Sequence, residues 1–259
     1  MDRISILGLP VDRLTMAETL ERIKGILAGP PSGKQMLTAN AEMVVTAQDD
    51  AELSHIWHQA AYVLADGYGL VWAAARFNAP LPERICGVEL GEEICRLSAQ
   101  MGARIYLLGA RPGVAEEARA RLLEKYPQAQ IVGTHHGYFS AEETERIVAD
   151  IRERKTDVLF VALGTPRQEK WLYAHGRSAG IRLGIGLGGS FDVWAGRVNR
   201  APRWMREHGL EWLYRVYRQP KRLPRLKALP VFIRMVRQAQ GVQEAAAAQD
   251  VSSDGTASN

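Results

Sequence analysis

The chain has 259 residues, 46% hydrophobic and 24% charged, the make-up of a soluble globular protein with one large domain or two intimate ones. Its two cysteines, Cys86 and Cys95, form no CxxC and no histidine-cysteine spacing suited to zinc, which argues against disulfides and structural metal and fits a reducing cytoplasm. The net charge of +4 is unevenly placed: residues 201 to 240 hold ten Lys or Arg against two acids, a net of +8, leaving the remainder at −4. A segment of that kind suits a local polyanion, such as phosphate, nucleic acid or an anionic lipid surface. No signal peptide opens the chain, and no run approaches the roughly 18 apolar residues that span a bilayer, so the expectation is a protein neither exported nor integral.

In chain order, QMLTAN, AEMVVTAQDDAELSHIWHQA and YVLADG begin an alternation of strand-like and helical stretches. It becomes regular from Arg104: RIYLLGA, GVAEEARARLLEKY, QIVGTHHGYF, SAEETERIVADIRERK, DVLFVALG, TPRQEKWLYAHGRSAG and RLGIGLGG. Glycine-bounded apolar strands separated by amphipathic helices predict βαβ units around a parallel sheet, an α/β fold. Ser140 with Glu143 three residues on reads as a capping box, which marks a helix start. After Gly196 the character changes. Prolines at 202, 220, 224 and 230 interrupt a mixture of Trp, Tyr, Leu and Arg with no strand signal, which predicts short helices. The expected organisation is an α/β core over 1–200, a basic, aromatic helical appendage over 201–240 and a small, polar, disordered tail over 241–259.

Ligands of parallel α/β sheets bind at the carboxyl ends of the strands. Four such ends carry polar residues: Thr38 and Asn40 after QML, Asp66 after YVLA, Gly164-Thr165-Pro166 with Gln168 after DVLFVAL, and Gly188-Gly189-Ser190 with Asp192 after RLGIGL. Carboxylate among neutral hydrogen-bonding groups suits a sugar or nucleotide. Each has a plainer reading as well. Asp66 before Gly67 could cap a helix starting near Tyr68, and Thr38 and Asn40 could be turn residues. The GARPG turn at 109–113 reads as packing, His135-His136 as structural, and Trp171 as core. There is no GKS/T loop, GxSxG elbow, HExxH or Asp-x-Asp, so any diphosphate handled here would be neutralised by arginines.

An ordered set of motifs decides between these readings. TANAEMV, LADGYGLVWAAAR, ERICGVEL with Arg84, LLGARPGVAE, GYF at 137–139, VALGTPRQEKW, GIGLGGSFDVWAG and RAPRWMREHGLEWLYRVYRQPKR together resemble the WecG/TagA/CpsF family of bacterial glycosyltransferases, over roughly residues 3 to 237. The resemblance implies a Rossmann-like core without a metal motif or cofactor, and an arginine-bearing appendage that contacts the membrane. It also implies an inverting transfer from a UDP-sugar of the N-acetylmannosamine, N-acetylmannosaminuronate, glucose or galactose type to a polyprenyl-diphosphate-linked sugar, in the synthesis of teichoic acid or other surface polysaccharides. Asp66 falls on the family's proposed base, and Thr38, Asn40, Arg84 and Gln168 on its polar site residues. Arg215, Arg222 and Arg225 fall on its diphosphate clamp, with Tyr138 and Asp192 as implied nucleoside contacts. The expected location is cytoplasmic, peripheral on the inner face of the membrane, with an anionic membrane surface as partner, no nucleic acid, and self-association left open. The alternative is a non-catalytic nucleotide or nucleic-acid binder that uses the basic segment, which leaves the polar rim unexplained.

Overall fold

The structure, a computed structural model, describes residues 2–202, 204–205, 211–218 and 227–254. It opens with an antiparallel hairpin, β1 (Arg3–Ile6) and β2 (Leu9–Asp12), turned at Leu7 and Gly8, both at positive φ as a two-residue hairpin loop requires. Helix α1 (Met16–Ala28) starts on a Thr15–Glu18 capping box. Then come β3 (Lys34–Ala39), α2 (Ala41–Asp49), α3 (Ala51–Gln59), β4 (Tyr62–Ala65), α4 (Tyr68–Arg76) and α5 (Gly87–Met101). The regular half follows: β5 (Arg104–Gly109), α6 (Val114–Lys125), β6 (Gln130–His135), α7 (Ala141–Glu153), β7 (Val158–Ala162), α8 (Arg167–His175), β8 (Leu183–Gly186) and α9 (Ser190–Trp194). The Ser140–Glu143 box stands at the head of α7 as expected.

Strands β3 to β8 form one six-stranded sheet, ordered β4-β3-β8-β7-β5-β6 and parallel throughout. Helices cover both faces, which is why VLFVA and LGIG are buried at every position. Met36, Ile105, Leu107, Phe160 and Ile185 face α1, α5, α6 and α9. On the other face, Leu37 and Val63 meet α2, α3 and α4, while Leu108 and Val161 meet α7 and α8. This is the Rossmann-like α/β fold expected. The packing between α5 and α9 is tight, since a Cβ on Gly91 would lie 2.5 Å from the Trp194 ring.

A short helix, Glu211–Arg218, and a terminal helix, Ala228–Asp254, complete the described chain. The terminal helix runs on past residue 241, over most of the stretch that composition reads as a tail. Its Phe232 and Val236 are fully buried with Leu70, Met43 and Ala73, so this part of the helix belongs to the core of this face. Deleting everything from 201 onward would therefore strip α2 and α4 of cover and is not a clean way to remove a surface appendage. Among the described residues no helix is long and apolar enough to cross a membrane.

The opening hairpin is pinned to β4 by one carboxylate. Asp12, 4% exposed, accepts from Arg3 Nε at 2.8 Å, Arg3 Nη2 at 3.2 Å and the N–H of Val63 at 2.7 Å. Asp12→Ala leaves the Val63 N–H without its acceptor and the Arg3 guanidinium without its counter-charge, held only by the carbonyls of Ala60 and Ala61. It should lower the unfolding free energy by about 3 kcal/mol, read as a fall in urea midpoint at constant m-value.

Candidate active site

The chain leaves β3 toward the α2 face and β8 toward the α9 face, and neighbouring strands that part this way open a crevice at their carboxyl ends. Thr38 lies in β3 at that edge, and its Oγ1 donates to the carbonyl of Gly186 in β8 at 2.7 Å. Asn40 is the N-cap of α2, its Oδ1 accepting from the N–H of Met43 at 3.0 Å. Both plain hydrogen bonds coexist with a place on the rim.

Asp66 follows β4, its N–H donating to the carbonyl of Ala39 at 2.8 Å. The helix it precedes, α4, has Gly67 as its N-cap residue. The Asp66 Oδ1 accepts from the N–H of Gly87, 3.3 Å away at the start of α5. A Cβ on Gly87 would stand 3.7 Å from Asp66 Oδ2 and 3.7 Å from the Thr38 methyl, which fixes how closely acid, threonine and helix head converge. Arg84 lies over the ring of Tyr68 at 4.7 Å and donates from Nη1 to the backbone carbonyl of Asp66 at 3.3 Å. Thr38, Asn40, Asp66 and Arg84 thus share one corner of the rim.

Comparison with known proteins adds to this geometry. The family described as Glycosyl transferase WecG/TagA/CpsF matches residues 4–245. Relatives from Staphylococcus aureus strains MW2, MRSA252 and NCTC 8325 / PS 47, each described as N-acetylglucosaminyldiphosphoundecaprenol N-acetyl-beta-D-mannosaminyltransferase, are 36% identical over 239 residues, 92% of this chain and 93% of theirs. The chain belongs to the WecG/TagA/CpsF glycosyltransferase family.

In this glycosyltransferase Gln168 is buried at 4% exposure beneath the rim. Its Oε1 accepts from the N–H groups of Gly164 and Gly188, both at 3.2 Å, and its Nε2 donates to Glu169 Oε1 at 2.7 Å. Its amide oxygen faces the turns after β7 and β8. Asp192 and Tyr138 lie further along the sheet. Asp192, in α9, is 3.7 Å from Arg111 in the turn after β5, and Tyr138 is 68% exposed after β6. The rings of His135 and His136 lie 4.7 Å apart and tilted at 53°, with His135 Nδ1 2.8 Å from the His136 carbonyl, and no group of residues suited to a metal occurs among the described residues. Trp171 is in the core. Both cysteines are buried thiols, and burial pushes the Cys95 thiol up to about 12. Arg222 and Arg225 lie outside the described residues, as does the side chain of Arg215.

Two residues absent from the sequence-based set border the site. Arg200, ahead of the appendage, pairs with Glu89 of α5 at 3.0 Å and donates to Cys86 Sγ at 3.6 Å. Glu169, 2% exposed, has its pKa raised from the ordinary 4.5 to about 7, because burial disfavours the charged form more than its neutral donors Gln168 and Thr165 favour it. The available signal was helical spacing, since Glu169 shares a buried stripe with Leu172, three residues on.

The sign of the resulting pH dependence follows from proton binding. Between about pH 4.5 and about 7 the folded state holds a proton on Glu169 that the unfolded chain has released, so stability falls as pH rises through that window, by about 3 kcal/mol in all. Glu169→Gln lacks this loss. Urea unfolding of both proteins at about pH 5 and about pH 8 should show the variant gaining on the parent at the higher pH.

Proposed function

We propose that this chain is an inverting, metal-independent transferase that moves N-acetylmannosamine from its UDP-linked form to a polyprenyl-diphosphate-linked N-acetylglucosamine, in the synthesis of a cell-surface polysaccharide. The observation that carries the reading is the placement of a single carboxylate, Asp66, on the rim beside Thr38, Asn40 and Arg84, in a chain that matches the mannosaminyltransferases over nearly its whole length. Inversion is one displacement at the anomeric carbon. The acceptor hydroxyl oxygen forms the new bond, Asp66 takes its proton, and the bond to the donor diphosphate breaks. A lone carboxylate is enough for the first task, provided it is within hydrogen-bond reach of the hydroxyl. The N–H of Gly87 on Oδ1 sets the plane of that carboxylate.

The leaving diphosphate needs positive charge. Arg215, Arg222 and Arg225 supply it in this reading, because guanidinium groups pair bidentately with phosphate and stay charged at physiological pH. Tyr138 and Asp192 take the nucleoside, while Thr38, Asn40 and Arg84 orient sugar and acceptor. Gln168 acts from beneath, through the glycine turns. The basic segment also supports docking at the inner face of the cell membrane, where each Lys or Arg contributes about 1 kcal/mol near anionic lipid. Exposed Trp204, Leu213 and Tyr217 suit the headgroup layer.

A short-chain lipid-diphosphate N-acetylglucosamine, offered UDP-N-acetylmannosamine, its uronate, UDP-glucose and UDP-galactose in turn, should accept the first sugar in excess EDTA with inverted configuration. Asp66→Asn should lower kcat by about 10²- to 10⁴-fold while donor Kd, measured by calorimetry, stays put. Unimpaired turnover in that variant would remove Asp66 as the base. Absence of transfer with every sugar would remove the reading.

A further inference from the structure

Glu169 takes no part in the transfer chemistry above, yet its carboxylate is buried directly beneath the rim. Oε1 accepts from Gln168 Nε2 at 2.7 Å and from Thr165 Oγ1 at 3.4 Å, while Oε2 is buried with no hydrogen-bond partner among the described residues. A carboxylate so incompletely compensated opposes folding, and an apolar side chain of similar size would serve stability better. Its position therefore calls for another reason.

The bonds of Gln168 supply one. Its Oε1 receives the N–H groups of Gly164 and Gly188, one from the turn after each of β7 and β8. Both glycines have positive φ, 79° and 49°, a region where glycine moves among several backbone states at little steric expense. The turns thus depend on an external tie. Only the oxygen end of an amide can accept two N–H groups, and the two ends of glutamine are nearly the same shape, so shape alone does not choose the orientation. The two N–H groups favour the oxygen on their side, and the far side of the amide reinforces this, where Glu169 Oε1 can accept from NH₂ but offers nothing to an amide oxygen while it is ionised. The pair is seated close against the sheet. A Cβ on Gly186 would lie 2.5 Å from Gln168 Nε2 and 2.9 Å from Glu169 Oε1, and the carbonyl of that same glycine takes the hydroxyl of Thr38. Gln35 of β3 ties the start of α8 to the sheet by donating to the Glu169 carbonyl at 3.1 Å.

We propose that Glu169 is a positioning residue of the transferase: by accepting from Gln168 it fixes the orientation of that amide, and through it the two glycine turns that border the strand edge carrying Thr38. Its activity arm rests on the proposed transfer reaction, whereas its structural arm does not. Glu169→Met keeps the length and bulk of the side chain but cannot accept, while Glu169→Gln retains an accepting oxygen. Amide hydrogen exchange at Gly164 and Gly188 should quicken by about tenfold or more in Glu169→Met and stay near the parent in Glu169→Gln. In step with this, kcat should fall by about 10- to 100-fold in the first variant and remain within about threefold in the second.

Parent-like exchange at both glycines in folded Glu169→Met would overturn the proposal, as would parent-like kcat in that variant or equal impairment in Glu169→Gln. Should Glu169→Met not fold, Gln168→Ala must reproduce the accelerated exchange, and failure to do so overturns it equally. If the parent transfers no sugar at all, the transfer reading fails, and exchange at the two glycines still decides the positioning role.

Discussion

The N–H of Asp66 donates to the carbonyl of Ala39 at 2.8 Å, one residue beyond the last paired rung of β3 and β4, and the corner of the rim is built outward from that bond. It carries the strand pairing one step past the sheet, so Asp66 and Asn40 leave it side by side. The next N–H, that of Gly67, approaches the same carbonyl at 3.4 Å, and a Cβ on Gly67 would lie 3.2 Å from that of Asn40. Helices α2 and α4 therefore start as neighbours. The head of α5 joins them through the Gly87 N–H on Asp66. Three helix N-termini meet near one carboxylate, so the positive ends of three helix dipoles face the same corner.

Much of this was legible in the chain. Strands buried on both faces are continuous apolar runs, and DVLFVALG and RLGIGLGG read correctly because glycines end them where the backbone turns. The positions of Thr38, Asn40 and Asp66 at strand ends were equally plain. The hydrogen-bond partner of Asp66 was not, since sequence offers the next helix as the thing to cap while the fold brings up α5, 21 residues away. Glu169 showed in the chain only as part of a buried helical stripe, and its surroundings were hidden for the same reason. Its burial depends on Gln35, 134 residues earlier, and on Gly186. The opening hairpin lacked its usual signal because Leu7, at φ 52°, holds a place where Asn or Asp is customary.

The terminal helix shows composition and structure pulling apart. Its stretch of arginines reads as a surface segment, and Arg234 and Arg237 are exposed. Yet Phe232 lies between Trp72 and Gly69, with its ring edge 3.5 Å from where a Cβ on Gly69 would be. One helix thus presents cations outward and an aromatic anchor inward. Anything bound by its outer face is held against the back of α2 and α4, the helices that spring from Asn40 and Gly67.

The contact of Gly91 with Trp194 bears on how the crevice can move. With no room for even a methyl group between them, α5 and α9 are clamped as one block, and the α5 wall of the crevice moves with the segment that carries Asp192. A bulky lipid-linked substrate would not be admitted by parting those helices. Entry to the crevice therefore leaves the α5–α9 pair as it stands, and the sheet with those two helices acts as a fixed bench beneath the rim.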